Sequence, residues 1–394
     1  MGMANGSYGM YTGFLGISLP QLLAKQHLPE SQIALITAVV MSPLSWVFLL
    51  SPILDVRFSR RRYAAVFATI AGLALCVGIL NLDRTPILQT ALVMGTAAIF
   101  LSSSALGGWL ASVLPKEDET RLSVWFNVST ISGGGIIAMI AGELTLRLPP
   151  AAVAVLLGAL IVLPTAIFPF IPAPGPDRRL ARESFRRFLE DMFRLLRQRD
   201  VLVAVAMFVT PAGSFALTNI LGGLGDDYHA SVLWVSLVGG IGVTVAGVIG
   251  SLLCPLFARR MALRPLYLMI GITGGVFTMV MLSLTHGAPS FALTLIGENI
   301  FQSLAATCVY AIQFETIGQH NPFAATTFCV MGSAVNLPVA YMMAVDGMAY
   351  GRHGLTGMFV TDAGIGIAAC LLLGLMLMIV GRWAPRRKHD GVVG

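Results

Sequence analysis

The residues most capable of chemistry in this chain are carboxylates inside long apolar stretches. Glu298 lies well within the apolar segment 291–317, and Asp362 lies within the segment 356–383. An ionised carboxylate in hydrocarbon costs several kcal/mol unless it is paired, hydrated or protonated, so an acid at this depth indicates a functional site by default. A carboxyl group that alternates between charged and neutral forms can carry a proton. We therefore predict that Glu298 and Asp362 are proton-coupling residues.

Polar amides in the same apolar stretches are candidates for binding a solute. Gln302 shares one helix face with Glu298 and a neighbouring face with Asn299, since residues three and four apart meet on a helix surface. Asn127 and Asn219 lie in two other apolar segments. We predict substrate contacts at all four amides. The alternative for each is a hydrogen bond that only joins helices.

A different combination of charges occurs where the second apolar segment ends. Asp55 is followed by Arg60 and Arg61. A carboxylate at a helix end beside arginines can pair with neighbouring helices and hold a passage closed in one conformation. We predict that these three residues form a gate.

These side chains need membrane helices to position them. Hydrophobic residues make up 56% of the chain and charged residues 11%, against about 25% charged in soluble domains. A helix that crosses the hydrocarbon needs about 20 largely apolar residues. The chain is therefore predicted to be an all-α membrane protein with twelve transmembrane helices. These spans 1–12 cover approximately 8–23, 32–54, 63–80, 87–114, 122–146, 151–171, 201–221, 231–257, 266–284, 291–317, 324–345 and 356–383.

A repeat divides the twelve spans into two six-helix bundles. The end of span 2, Ser51–Arg61, recurs half a chain later as Gly250–Arg260, with Cys254 in place of Asp55. Duplicated bundles with parallel halves are typical of secondary transporters whose solute site lies between the halves. We predict an N-terminal bundle over 1–171, a linker with a basic amphipathic helix over 172–200, and a C-terminal bundle over 201–394.

The basic residues predict the orientation. Of the 25 lysines and arginines, all except Lys25, Arg84, Arg147 and Arg352 fall on the side that holds both termini. Because basic residues concentrate on the cytoplasmic side, both termini are predicted to be cytoplasmic, and we call that side the inner side. This asymmetry accounts for the net charge of +6 without nucleic acid as a partner. The first apolar segment lacks a basic n-region and a cleavage site, so it is interpreted as span 1.

Other classes of function find no support in the residue pattern. No nucleophile with a base, metal-spaced cluster or nucleotide-binding loop stands out, so neither an enzyme nor a cofactor is predicted. The five cysteines all fall in apolar spans and are interpreted as core residues. The predicted partners are a small-molecule substrate, protons and the lipid bilayer, with the chain acting as a monomer.

Several short motifs resemble the major facilitator superfamily, and within it the AmpG-type muropeptide permeases and their siderophore-importing relatives. Asp55 to Arg62 resembles the loop 2/3 signature of the superfamily, with one extra residue between acid and arginines. The other resembling motifs are Gly13-Phe14, Leu19-Pro20, Val113 to Glu117, Glu298-Asn299 and Ala325 to Phe328. The resemblance implies two pseudo-symmetric bundles and proton-driven import, across a bacterial inner membrane, of a cell-wall fragment or siderophore.

Two departures from that family keep other functions open. Span 4 reads Ala105 to Leu110 where the family tends to carry an acid and a base, and span 7 has Gly213 to Phe215 where it often has an acid. Export of a drug or metabolite is therefore one alternative to import. A membrane sensor that transports nothing is the other.

Overall fold

The computed structural model describes residues 1–56, 58–173, 190, 192–194, 196–319 and 321–379. The regular structure of these residues is entirely helical. Most of the predicted linker lies outside the described residues. Of its predicted amphipathic helix, residues 190, 192–194 and 196 are described as helical, and Met192 is buried against Phe323.

The N-terminal half consists of long helices joined to short irregular ones. Its α-helices are Gly6–Gly13, Leu19–Lys25, Glu30–Met41, Pro43–Trp46, Arg60–Leu80, Thr85–Val113, Glu119–Arg147 and Pro150–Val162. Tighter 3-10 turns cover Gly2–Asn5, Val47–Asp55, Lys116–Asp118 and Leu163–Phe170, and a wider π-turn covers Phe14–Ser18. The 3-10 stretch that ends span 2 contains Pro52, whose missing amide hydrogen prevents a regular α-helix there.

The C-terminal half follows the same plan with two breaks. Its α-helices are Arg199–Phe208, Ala216–Leu221, Val232–Leu237, Val243–Ala258, Leu263–Met281, Ala288–Ile317 and Ala324–Ile379, with a 3-10 turn at Asp226–Tyr228 and a π-turn at Val238–Gly242. The helix Ala324–Ile379 is interrupted at Gly354, which has φ +61°. Only glycine adopts that left-handed backbone freely, so the interruption separates span 11 from span 12.

Nine helices in the described part of the chain are long and apolar enough to cross a membrane. Span 1 is rich in glycine and polar residues and falls short of that test, span 7 is a broken helix, and spans 11 and 12 count as one continuous element. The nine helices are therefore consistent with the twelve predicted spans.

The break in span 7 leaves backbone groups without the hydrogen bonds of a continuous helix. The first piece ends at Phe208 and the second begins at Ala216. Pro211 lies between them. Proline has no backbone N–H, so it cannot donate the hydrogen bond that a continuous helix requires. Helices broken in this way line solute or ion sites in many transporters, since their carbonyl groups and helix ends are free to face a ligand.

The two halves pack against each other through a small set of spans. Span 5 contacts spans 8 and 10, and spans 2 and 4 contact span 11. Glycine makes the second contact close, because a Cβ atom on Gly108 of span 4 would lie 2.4 Å from the backbone nitrogen of Ala325. Small residues at helix crossings allow this approach of backbones.

Candidate transport site and inner gate

Glu298 lies deep in the C-terminal half. It is on the span 10 helix, is 4% exposed, and accepts a hydrogen bond from the Thr278 hydroxyl of span 9. A carboxyl group removed from water in this way is held by few polar contacts, so its charged form is costly unless the site admits water, a proton or a cation.

A cavity of about 30 Å³ adjoins Glu298 inside the C-terminal bundle. Its lining includes Glu298, Gln302 and Asp362 together with the broken part of span 7, residues 211–214. Gln302 is also fixed in place, because its Oε1 atom accepts a hydrogen bond of 2.9 Å from Thr218 of span 7. The structure thus brings together three residues that the sequence analysis predicted, two from span 10 and one from span 12.

Asp346 adds a third buried carboxyl group. It lies one residue beyond the predicted end of span 11, yet the residue is 0% exposed. It faces Asp362 of span 12. Span 11 continues as helix beyond its predicted end, and this keeps Asp346 inside the bundle.

Of the four predicted substrate contacts, Gln302 lines the cavity, whereas Asn299, Asn219 and Asn127 lie outside its lining. Asn299 is buried and donates to the Leu295 carbonyl of its own helix at 2.8 Å. Asn219 is exposed, and its nearest polar contact is a weak one of 4.0 Å to the sulfur of Met343. Substrate binding by these two residues stays a prediction.

Asn127 joins the two halves. Its side-chain nitrogen in span 5 lies 2.9 Å from the Ser251 hydroxyl, 3.1 Å from the Ser303 carbonyl and 3.0 Å from the Thr307 hydroxyl. These partners belong to spans 8 and 10. In this conformation the side-chain amide of Asn127 bonds with residues of the other half and lies in the interface between the halves.

The predicted gate residues Asp55 and Arg60 lie against the start of span 11. Asp55 Oδ1 lies 2.8 Å from Arg60 Nε, and the carboxylate accepts backbone hydrogen bonds from Ala325 at 3.3 Å and Thr326 at 2.8 Å. These amides are at the N-terminus of the span 11 helix, where free N–H groups and the helix dipole favour an anion. The Asp55 side chain is 0% exposed, so this pair is more buried than an interfacial ion pair.

Arg60 completes the gate on the other side of the interface. Its guanidinium donates to the carbonyl groups of Asn321 at 3.2 Å and Pro322 at 2.8 Å. Asp55 thus accepts hydrogen bonds from backbone amides, and Arg60 donates to backbone carbonyl groups, all at the start of span 11. The two residues thereby join the N-terminal half to the C-terminal half. Arg61 is half-buried, and the described contacts assign the pairing with Asp55 to Arg60.

Aromatic side chains close the interface beside the gate. The ring of Phe126 in span 5 lies 4.9 Å from Tyr310, 5.7 Å from Phe314 and 5.8 Å from Phe328, measured between ring centroids, with edge-on geometry in each case. Gly107 of span 4 leaves room for Phe328, because a Cβ atom there would lie 2.5 Å from that ring. Burial of four rings between the halves excludes water from the inner side in this conformation.

The sequence of residues 1–322 matches the pattern of the Major Facilitator Superfamily. The chain belongs to this superfamily. No curated protein matches it in sequence. As a member of the superfamily it is a secondary transporter and not an enzyme.

Solved structures of other superfamily transporters share the fold along nearly the whole chain. A bacterial homologue of the iron transporter ferroportin, in its outward-facing state with soaked iron, is 13% identical with TM-score 0.68, over 96% of this chain and 97% of that one. The fucose:proton symporter FucP of E. coli is 12% identical with TM-score 0.67, over 94% and 97%. The proton:xylose symporter XylE with 6-bromo-6-deoxy-D-glucose bound is 14% identical with TM-score 0.69, over 95% and 93%. At these identities the likeness shows the fold alone.

Within the major facilitator fold, the described contacts correspond to a state closed on the inner side. The hydrogen bonds of the gate, the aromatic cluster around Phe126 and the bonds of Asn127 all join the halves towards their inner ends. A transporter that works by alternating access must break these contacts to open inward.

One buried polar residue inside the N-terminal half was missed by the sequence analysis. Asn5 is buried, donates to the Thr130 hydroxyl at 2.9 Å, and accepts a bond of 2.8 Å from the Ser103 hydroxyl. It links span 1 to spans 4 and 5. Helical structure begins at Gly2, before the predicted start of span 1 at Tyr8, because glycine and small residues near the terminus weaken the hydropathy signal.

We expect Asn127→Ala to weaken the closed state of the inner side. Removal of the amide leaves buried acceptors on spans 8 and 10 without a donor, which costs about 1 to 2 kcal/mol, or roughly tenfold in the balance between states. Alkylation of the buried Cys329, whose thiol lies beside Ser51 and Ser104 of the other half, reports opening. Asn81→Ala, which removes an amide bonded within its own helix, is the matched control.

A role of Asn127 in binding substrate would give the opposite result in the same two measurements. The variant would then raise the KM for uptake and leave the alkylation of Cys329 unchanged. Uptake with unchanged KM and faster alkylation assigns Asn127 to the gate.

Proposed function

We propose that this chain is a proton-coupled importer of a small organic solute of the cell-wall fragment or siderophore class. The observation that carries the proposal is Glu298, a buried carboxyl group beside a cavity formed by a broken helix and two further polar side chains, Gln302 and Asp362. A group in this position can take up a proton in one state and release it in the other.

The proposed cycle moves the two halves about the interface described above. With the gate closed on the inner side, the solute and a proton enter from the outside, and Glu298 is neutralised. Neutralisation removes the cost of enclosing a charge, so the halves can close over the site and the gate can open inward. Solute and proton then leave to the cytoplasm.

Support for proton coupling and for location comes from separate sources. FucP and XylE, which share the fold, are proton symporters. The location that we propose is a bacterial inner membrane with both termini cytoplasmic, on the basis of the basic residues that concentrate on the inner side. The choice of solute class rests on the resemblance to AmpG-type permeases.

The test is uptake by the purified full chain in proteoliposomes. The probes are a labelled anhydromuropeptide and a labelled ferric siderophore, each with and without an imposed proton gradient, acidic outside. We expect one of them to accumulate inside only when the gradient is present. Accumulation driven in the opposite direction would assign the chain to export, and the absence of any gradient-dependent movement of either probe would contradict the proposed function.

A further inference from the structure

Asp346 has a buried carboxyl group without a hydrogen-bond donor. The residue is 0% exposed, and within the described residues neither of its oxygen atoms has a hydrogen-bond partner. The group that acts on it most directly is a second acid, Asp362 of span 12. An ionised carboxylate has no proton to donate. Two ionised groups in this position would therefore repel each other while both lacked a compensating donor.

The elements packed around this pair supply no positive charge. Span 10 contributes a third acid, Glu298, and span 9 contributes the Thr278 hydroxyl, which donates to Glu298. Span 7 contributes the neutral residues 211–214. Among the described residues no lysine, arginine or histidine acts on the three carboxyl groups. The charge of the pair must therefore be neutralised by something that is not a side chain.

A proton fits this place better than a metal ion does. Within the described ranges no three His, Cys, Asp or Glu side chains lie close enough to share a metal. The adjoining cavity, of about 30 Å³, holds little more than one water molecule. A proton between two carboxyl groups needs no further ligands, because one group then donates to the other, as in other buried acid pairs.

We propose that Asp346 and Asp362 share one proton and form a second proton-binding site beside Glu298. Asp362 lines the cavity, which gives the shared proton a path to water, while Asp346 is enclosed. With two sites, two protons can accompany each transport cycle. The coupling role rests on the proposed function, whereas the shared proton does not.

Span 11 connects the proton pair with the inner gate. Its first turn is bonded to Asp55, and the same continuous helix carries Asp346 towards its outer end, past Pro338. Movement of span 11 when the gate opens changes the separation between Asp346 and Asp362. Carboxyl groups that separate into water no longer need to share a proton, so opening inward should release it.

Infrared difference spectroscopy on the purified full chain tests the shared proton without any substrate. A protonated carboxyl group has a C=O stretching band distinct from the bands of carboxylates. In a Glu298→Gln background, which removes the other buried acid, we expect one such band at neutral pH. Asp346→Asn and Asp362→Asn should each abolish that same band, since both groups hold one proton. Asp83→Asn, which changes an exposed acid in the loop after span 3, should leave it intact.

Each other result contradicts the shared proton. Two separate bands, one lost in each variant, would mean two independently protonated acids. The absence of a band in the Glu298→Gln parent would mean that both groups are ionised, and this result needs neither Asp variant to fold. Loss of the band when NaCl replaces choline chloride at equal ionic strength would mean that the pair binds Na⁺ in place of the proton.

The coupling role is tested by the same band in an Asp55→Asn, Glu298→Gln double variant, where the inner gate is weakened. We expect the band to fall markedly at neutral pH as the pair separates and loses its proton. A band of full intensity in a protein whose Cys329 has become accessible to alkylation would mean that the pair is only structural. Proteoliposome uptake tests the proposed function independently, so failure of one can be distinguished from failure of the other.

Discussion

Glu298→Gln should sharply reduce accumulation of solute against a gradient while downhill movement continues. Glutamine keeps the shape of the side chain and can still bond with Thr278, but it is permanently neutral. The variant can therefore pass through the states that need a neutral residue 298, but residue 298 no longer carries a proton with the solute, and only the Asp346–Asp362 pair remains to couple transport to the gradient. In proteoliposomes with a proton gradient, we expect the ratio of inside to outside probe to fall well below that of the parent, with counterflow exchange within about threefold of the parent.

Two comparisons make this result specific to proton coupling. Glu143→Gln applies the same change to an exposed acid that pairs with Arg147 at the outer end of span 5, and it should retain accumulation. Asp362→Asn separates the two buried acids. If Asp362 is the main carrier, that variant loses accumulation and Glu298→Gln keeps it. Accumulation by Glu298→Gln at the parent level would make Glu298 a structural residue.

Asp55→Asn should shift the transporter strongly towards its inward-open state. The carboxylate has no exposed side-chain surface, and it neutralises Arg60 while it accepts two amide hydrogen bonds from span 11. Removal of one partner from a buried ion pair costs about 3 to 5 kcal/mol, and Arg60 is 13% exposed, so we expect about 2 to 4 kcal/mol here. The population of the open state should rise by roughly 30-fold to 1,000-fold.

The rate of Cys329 alkylation from the inner side measures this shift. Cys329 is buried in the closed interface, and a Cys329→Ser variant gives the background from the other four cysteines. Asp118→Asn is the matched control because it breaks an exposed pair with Arg121 on the same side of the protein. Exposed pairs contribute about 0 to 1 kcal/mol, so this control should change alkylation little. Equal rates of Cys329 alkylation in Asp55→Asn and in the control would mean that Asp55 does not stabilise the closed state.

The size of the expected Asp55 effect differs from what its sequence context indicates. An acid followed by arginines at a helix end indicates an interfacial pair, worth about 1 kcal/mol when partly solvated. The structure places the span 11 helix over it, 270 residues away in the chain from Ala325 to Asp55. That contact removes water from the carboxylate, and burial is what raises the cost of breaking the pair.

Hydropathy and charge alone were sufficient to predict the architecture. A helix that crosses a bilayer needs about 20 apolar residues, and basic residues concentrate on one side of the membrane. Both features can be read directly from the order of residues in the chain. The depth of Glu298 follows from the same rule, because a position counted from the ends of an apolar run is a depth in the membrane. The repeat that includes Arg60 and Arg259 can likewise be recognised from the sequence without knowledge of the fold.

Contacts between helices were decided only by the tertiary structure. Rotation and tilt of a membrane helix depend on packing against its neighbours, and many rotations satisfy one hydropathy profile. The sequence therefore could not choose Arg60 over Arg61 as the partner of Asp55. Nor could it show that Asn127 faces span 8, while Asn219 faces outward.

The acid pair shows this limit most clearly. Asp346 and Asp362 belong to different spans, and Asp346, one residue beyond the predicted end of span 11, by itself resembles an acid near a membrane surface. Only the return of the chain at Gly354 sets span 12 against span 11 and brings the two carboxyl groups face to face. The sequence determined that acids lie within apolar helices, because a linear pattern records depth. The tertiary structure decided which of them share a site, because proximity between helices depends on how they pack.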